Sequence, residues 1–302
     1  MSNRNTYLLV RFTTGNMVTA STLVAIGVNG LAYGVVLALL GVSITLVFGL
    51  GEVLNLATGV FSVVAVLVAT TLTGMGTHVA FAGLIALVVV GIVGIMIDQS
   101  LFHVVYKSEG EERILLGIFV TLGLAVFLQG VLTNLFPSQY FLPVDVGQVP
   151  VGTTTISGGS LVTIAAGGLL LASVFAFLQY TFLGKATRTI FQDEKGAQLV
   201  GVKPRKIRTL IFVLSAGVAG FAGLVYTIGS TITVASGFQL TTFALIVSIV
   251  GGVRSVQGAV VAGVLLGTVN QFANFFVGSY LAVVILFSTA IVAILVKPEV
   301  LA

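Results

Sequence analysis

The sequence predicts an all-α fold, a polytopic transmembrane helical bundle of eight to ten spans, some interrupted or re-entrant. Three observations carry this. Hydrophobic residues make up 57% of the chain and charged residues 7%, with a mean hydropathy of +1.18, too apolar and too poor in ion pairs for a soluble domain of this length. The apolar residues come in uncharged runs long enough to cross a bilayer. Seven of the thirteen Lys and Arg residues gather in one stretch, Thr181 to Arg208, between two such runs. Residues 1–302 are accordingly read as a single transmembrane domain.

Phe12 to Gly51 carries no charge and exceeds the roughly 20 residues that a span needs. It predicts a helix from about Ile26 to Phe48 and leaves open a further short span before it, and with that the side on which the N-terminus lies. The first residues, with Arg11 inside the only early apolar patch and no small-residue cleavage site, read as a retained end rather than a signal peptide. Glu52 interrupts the run, and Asn55, Thr58 and Gly59 open the next one. Polar residues and glycine at membrane depth are tolerated where a helix breaks against protein or a cavity, so a discontinuous or re-entrant element is expected here.

A third span is expected from about Val79 to Ile97, ending at Asp98. Asp98 to Arg113, with Glu109, Glu111 and Glu112, reads as a polar loop. Ile114 to Phe136 is a fourth span. PSQYFLPVDVGQVPVGTTTISGG follows, an external loop with room for short strands or a cap. A fifth span leads into the basic stretch. Beyond it, Leu210 to Ile228 carries Gly217, Gly220 and Gly223 at the small-residue spacing that lets membrane helices pack backbone to backbone. Thr241 to Gly252, a break at Arg254, and Gln257 to about Asn270 make a second interrupted element; a last span runs from about Tyr280 to Val296 and ends at Lys297. Paired interruptions mark the pathway in transporters with internal repeats; two Gly-rich packing helices would give the same pattern.

The basic stretch sets the orientation. Lys185, Arg188, Lys195, Lys203, Arg205, Lys206 and Arg208 against Asp193 and Glu194 leave a net charge of about +5, and the positive-inside rule keeps such a loop in the cytoplasm. Ala186 to Val200 is rich in helix formers, with Gly201 where a left-handed residue ends a helix and Pro204 just beyond. A short cytoplasmic helix is expected, either a docking element for a soluble partner or a solvated connector.

Several functions are excluded. The net charge of +4 and pI near 9.5 come from one loop, without a basic face interleaved with aromatics, so nucleic acid is not a partner. There is no cysteine, and His78 and His103 lie far apart, so neither a disulfide nor a metal site is expected. Gly184-Lys185-Ala186 lacks the hydroxyl residue and upstream glycine of a phosphate loop, and no catalytic constellation stands in the spans. The chain is not expected to be an enzyme or to hold a cofactor; ATP and Mg would bind another chain.

GKATRTIFQDEKGAQLVGVKPRKI resembles the cytoplasmic loop of the permease subunits of branched-chain amino-acid ABC importers, the family that also contains simple-sugar, urea and nucleoside permeases. NGLAYGVVLALLGVSITLVFG with LNLATG, SIVGGVRSVQGAVVAGVLLG and VTLGLAVFLQGVL resemble three further blocks in the right order. Thr58 and Val60 stand where the family commonly has His and a carboxylate, Glu52 and Arg254 where it has Gly, and Leu37 where Tyr is frequent. These departures bear on the substrate.

The resemblance implies that 185–208 is a cytoplasmic coupling loop, in which Gly184, Arg188, Asp193, Ala197 and Gly201 match the family pattern. Arg188 and Asp193 would orient the docking helix, and Ala197 and Gly201 would allow close contact with an ATPase groove. Expected partners are two ATPase subunits, a second permease chain, identical or homologous, an extracytoplasmic solute-binding protein, and membrane lipid. The chain would sit as a multi-pass protein in a prokaryotic cell membrane and move branched-chain or other aliphatic amino acids by alternating access. Sugars, urea or another amide, or nucleosides would suit the same polar lining. Asn29, Tyr33, Asn55, Thr58 and Ser62 are the candidate pathway residues, with interhelical hydrogen bonding as their other reading. An ion-coupled transporter would bury carboxylates or a Lys as coupling sites, whereas Glu52, Asp98 and Arg254 sit near helix interruptions or ends.

Overall fold

The computed structural model describes residues 20–51, 53–108, 110–144, 146–152, 154–199 and 201–296. The question of a span before Ile26 falls largely outside them, as do Glu52 and Lys297. The chain runs as α1 (Ala20–Gly51), α2 (Thr58–Gly74), α3 (Val79–Ile97), α4 (Gly110–Leu135), the hairpin β1 (Gln148–Val151) and β2 (Thr154–Ser157), then α5 (Gly158–Tyr180), α6 (Phe182–Gln192), α7 (Glu194–Leu199), α8 (Pro204–Tyr226), α9 (Ser236–Gly251), α10 (Val256–Val277) and α11 (Ser279–Val296). Among the described residues, α1, α3, α4, α5, α8, α10 and α11 are long and apolar enough to cross a membrane, and α2 and α9 are shorter apolar helices. Together they fall within the expected eight to ten. The two shorter helices follow or precede the interruptions near residues 50 and 250.

The bundle is built around α1, which is apolar on every side and mostly buried, as an all-round apolar helix in the middle of a bundle must be. It packs along α10, α8, α9 and α5. Close approach comes from small residues. A Cβ at Gly263 would run into the backbone of Ala38, one at Gly267 into that of Gly34, and one at Gly223 into that of Ser62, so α10 meets α1 and α8 meets α2 nearly backbone to backbone. Gly217, of the same small-residue series, has nothing within 4 Å of such a Cβ. Buried hydroxyls tie the helices: Ser43 Oγ lies 2.9 Å from Ser215 Oγ, Thr45 Oγ1 lies 2.9 Å from Ser248 Oγ, and Ser215 Oγ donates to the carbonyl of Ser43.

Two elements differ from expectation. The stretch after Asp98 is not simply a polar loop: α3 continues through a π-helical turn, Asp98–Phe102, and a further helical turn, His103–Val105. The charge of Asp98 is compensated in place. Its fully buried carboxylate lies 3.2 Å from Arg205 and accepts a 2.6 Å hydrogen bond from Thr209, both on α8, while Arg205 also donates to the Asp98 carbonyl. The ring of Phe102 packs against that of Phe212, tilted by 53° with centroids 4.6 Å apart. Burial, with Asp98 nearby, pushes the Tyr106 hydroxyl above its ordinary range despite the adjacent arginines, so the ring remains a neutral phenol.

The single helix expected over Ala186 to Val200 is two helices, α6 and α7. Asp193 breaks them, extended at φ −155°, and its carbonyl accepts from the Ala197 amide. Asp is favoured where a helix begins, because its side chain competes for free amides.

Candidate functional site

On the hairpin face, α1 begins beside β2, with Ser21 and Thr22 hydroxyls 3.4 and 3.5 Å from that of Thr154. Asn29 and Tyr33, one helical turn apart on α1, line a cavity of about 220 Å³ with Ser160 and Thr163 of α5, Tyr226 at the end of α8, and Gln271 of α10. Ser160 Oγ donates to Asn29 Oδ1 at 2.7 Å, and Thr163 Oγ1 donates to the Val225 carbonyl at 3.1 Å, which joins the start of α5 to the end of α8. The rings of Tyr33 and Tyr226 stand 6.4 Å apart. With Ser230 and Gln271 they also line a second cavity of about 330 Å³, where Gln239, Asn270 and Asn274 contribute amides. Among the described lining residues of both, no side chain carries a fixed charge. Such walls hold solutes by hydrogen bonds and van der Waals contact.

On the opposite face, the turn from α5 into α6 is tight. A Cβ on Gly184 would strike the Leu178 backbone, and the Gly184 amide donates to the Thr181 hydroxyl that caps α6. Arg188 is exposed but donates to the side chain and the carbonyl of Gln179, at 2.9 and 3.2 Å. It also borders a cavity of about 360 Å³ with Thr45, Gln179, Arg254 and Ser255. Asp193 is exposed at the break. Ala197 is fully buried within the chain, not open to a partner, because it packs the inside of the turn that carries α7 into α8 and its carbonyl accepts from Val202. Gly201, at φ +86°, is the left-handed residue that closes α7. Leu199 is 89% exposed, an apolar knob on a basic segment that the sequence reading left without a role.

Residues 26–296 match the family described as branched-chain amino acid transport system, permease component. The chain belongs to that family. The permease is 26% identical over 287 residues to the high-affinity branched-chain amino acid transport system permease protein LivH of Salmonella typhimurium, covering 89% of this chain and 92% of the relative. It is equally identical over 288 residues to the corresponding BraD protein of Pseudomonas aeruginosa, covering 90% and 92%. A shorter stretch of 86 residues is 30% identical to the permease protein LivM of Escherichia coli, covering 28% of this chain and 20% of the relative.

Asn55, Thr58 and Ser62 of the permease lie apart from Asn29 and Tyr33 and line neither cavity on the hairpin face. All three are buried where α1 gives way to α2. Asn55 Oδ1 accepts from the Ala57 amide, Thr58 donates to the Asn55 carbonyl at 2.9 Å, and Ser62 donates to the Ala219 carbonyl at 2.6 Å. Thr121 and Thr241 complete the junction. Thr121 bonds Leu54 and Leu56, and Thr241 accepts from the Gly59 amide at 2.9 Å. A helix interrupted at membrane depth needs such partners for its freed backbone groups. No local signal distinguishes these two threonines, which stand in ordinary apolar runs.

Proposed function

We propose that this permease carries branched-chain or other aliphatic amino acids by alternating access, driven by ATP hydrolysed on separate ATPase subunits that dock on a coupling loop over residues 185–208, through its α6–α7 segment. One observation carries the reading. The two helices that hold this segment, α5 and α8, have their other ends at the outer cavity, Ser160 and Thr163 on α5 and Tyr226 on α8. A helix of 23 residues spans about 35 Å at 1.5 Å per residue, so a tilt imposed at the basic end moves the cavity wall at the other.

Arg188, through Gln179, makes α6 follow α5, and the turn at Ala197 and Gly201 passes motion from α7 to α8. With Ala197 turned inward, Leu199 supplies the protruding contact for an ATPase groove. The uncharged amides and hydroxyls of the outer cavities suit a net-neutral zwitterion, in keeping with the names of LivH and BraD. A second permease chain and an extracytoplasmic solute-binding protein, feeding the hairpin face, complete the importer. Asp98 is held by Arg205 and Thr209 at the basic end of the bundle, an arrangement that favours ATP drive over ion coupling.

Reconstitution of the permease with its partner subunits in proteoliposomes tests this. Leucine or valine uptake should require ATP, be blocked by vanadate and survive an uncoupler. Uptake of ribose without leucine or valine would overturn the substrate, and uptake that resists vanadate but collapses with an uncoupler would overturn the energy source.

A further inference from the structure

At the basic end of α3 and α8 lies a recess of about 540 Å³, distinct from the cavity beside Arg188. His103 and Lys107 come from the end of α3 and just beyond it; Lys203, Arg205 and Arg208 come from the turn before α8 and its first turns. The half-buried ring of Tyr106 lies beneath the two guanidiniums, 5.3 Å from that of Arg205 and 4.9 Å from that of Arg208. Four permanent cations thus converge on one concavity, and no described residue lining it is acidic. Asp98 beneath pairs with Arg205. Arg205 Nη1 and Asp98 Oδ1, the other terminal atoms of that ion pair, are each buried without a hydrogen-bond partner, a costly state for charged groups.

The level of the recess narrows the ligand. The span of α3 ends at Val105 and that of α8 begins at Pro204, so the cations ring the depth at which both helices leave the hydrocarbon. Val104 and Met96, on the same end of α3, are 54% and 64% exposed, which offers apolar surface to acyl chains beside the charges. Basic pockets between transmembrane helices on the cytoplasmic side are suited to phosphate headgroups, and guanidiniums bind phosphate oxygens in pairs. The first amides of α8 add their own positive potential. A protein contact is less well served, because the cations are set back in a concavity whereas Leu199 is what projects from this face.

We propose that this recess binds a phosphate group presented by an anionic phospholipid of the cytoplasmic leaflet, and that the bound headgroup braces the α7–α8 turn against the end of α3. The lipid would thereby stiffen the joint through which the coupling segment enters α8.

The test uses the full-length permease, purified with phosphatidylglycerol and phosphatidylcholine and examined by native mass spectrometry. Wild type should retain phosphatidylglycerol in preference to phosphatidylcholine. Lys107→Gln with Lys203→Gln, both exposed side chains, should weaken retention about tenfold or more, since each cation near a headgroup contributes several-fold. Lys107→Arg with Lys203→Arg should restore it. Lys185→Gln with Lys206→Gln removes the same charge outside the recess and should leave most retention intact. Equal loss in that control, wild-type retention in the first pair, or failure of the arginine pair to bind would overturn the site. Displacement of the lipid by inorganic phosphate in excess would assign the recess to a soluble phosphate and overturn the lipid. Retention of lipid by the first pair with release of the ATPase would mark a protein contact and overturn it as well.

Discussion

Arg188 donates to Gln179 twice, through Nη1 to Oε1 at 2.9 Å and through Nη2 to the backbone carbonyl at 3.2 Å. Helix α6 is thereby fastened to the last turn of the span before it. Because Arg188 is exposed, the fastening contributes little to stability; under the proposed coupling its effect is on transport.

Arg188→Ala should therefore reduce uptake severely while membrane insertion and melting temperature stay near wild type. Gln179→Ala should do the same more weakly, since the carbonyl contact remains. The double variant should be no worse than Arg188→Ala alone. Measured uptake losses that multiply would show that the two residues act separately.

The glycines of α8 should separate by packing. Gly223→Leu places bulk against the Ser62 backbone and should cost about 1–3 kcal/mol or more, as overpacking does. Gly217→Leu meets nothing within 4 Å and should be tolerated. Melting of the two variants in detergent checks the order, and a Gly217→Leu as unstable as Gly223→Leu would refute it.

Asp98→Ala should destabilise more than Asp98→Asn, because Asn keeps an acceptor for Thr209 while Ala strands both Thr209 and Arg205. Breaking a fully buried ion pair costs about 3–5 kcal/mol. Here the loss should be smaller, since the Arg205 side chain is 39% exposed and water can take up part of its charge. Equal stability of wild type and Asp98→Ala would remove this anchor between α3 and α8.

Polar residues on α10 and α2 should differ in phenotype. Gln271→Leu alters the cavity wall and should raise the KM for uptake with little change in stability. Ser62→Ala removes a buried 2.6 Å bond to Ala219 and should cost about 0.5–1.5 kcal/mol, with KM unchanged. Saturation curves and thermal melts on the same samples distinguish the two classes.

Orientation is open to direct labelling, because the chain has no cysteine. A cysteine at Gln198 should react with an impermeant thiol reagent only from the cytoplasm, and one at Gln148 only from outside. Both positions are exposed. The reverse pattern would invert the bundle and remove the ATPase from the α6–α7 segment.

Much of this architecture can be read along the chain, because lipid imposes one-dimensional rules: spans must be long and apolar, and cations stay inside. The basic stretch at Thr181 to Arg208, the helix stop at Gly201 and the interruptions near Glu52 and Arg254 all follow from such rules, and the family was legible in the resemblance of the GKATRTIFQDEKGAQLVGVKPRKI stretch. What those rules do not carry is which polar side chains meet. Asn29 and Tyr33 reach Tyr226 and Gln271 across about 200 residues or more of sequence only because α1 lies between α8 and α10. Asn55, Thr58 and Ser62, equally polar in sequence, are turned instead to the backbone of a helix junction. Asp98 looked like the end of a span; α3 continues past it because Arg205 and Thr209, more than a hundred residues later, neutralise a charge that the local sequence leaves bare. Composition determined the solvent of this protein, and long-range pairing of polar groups decided which of them face a cavity and which only close the fold.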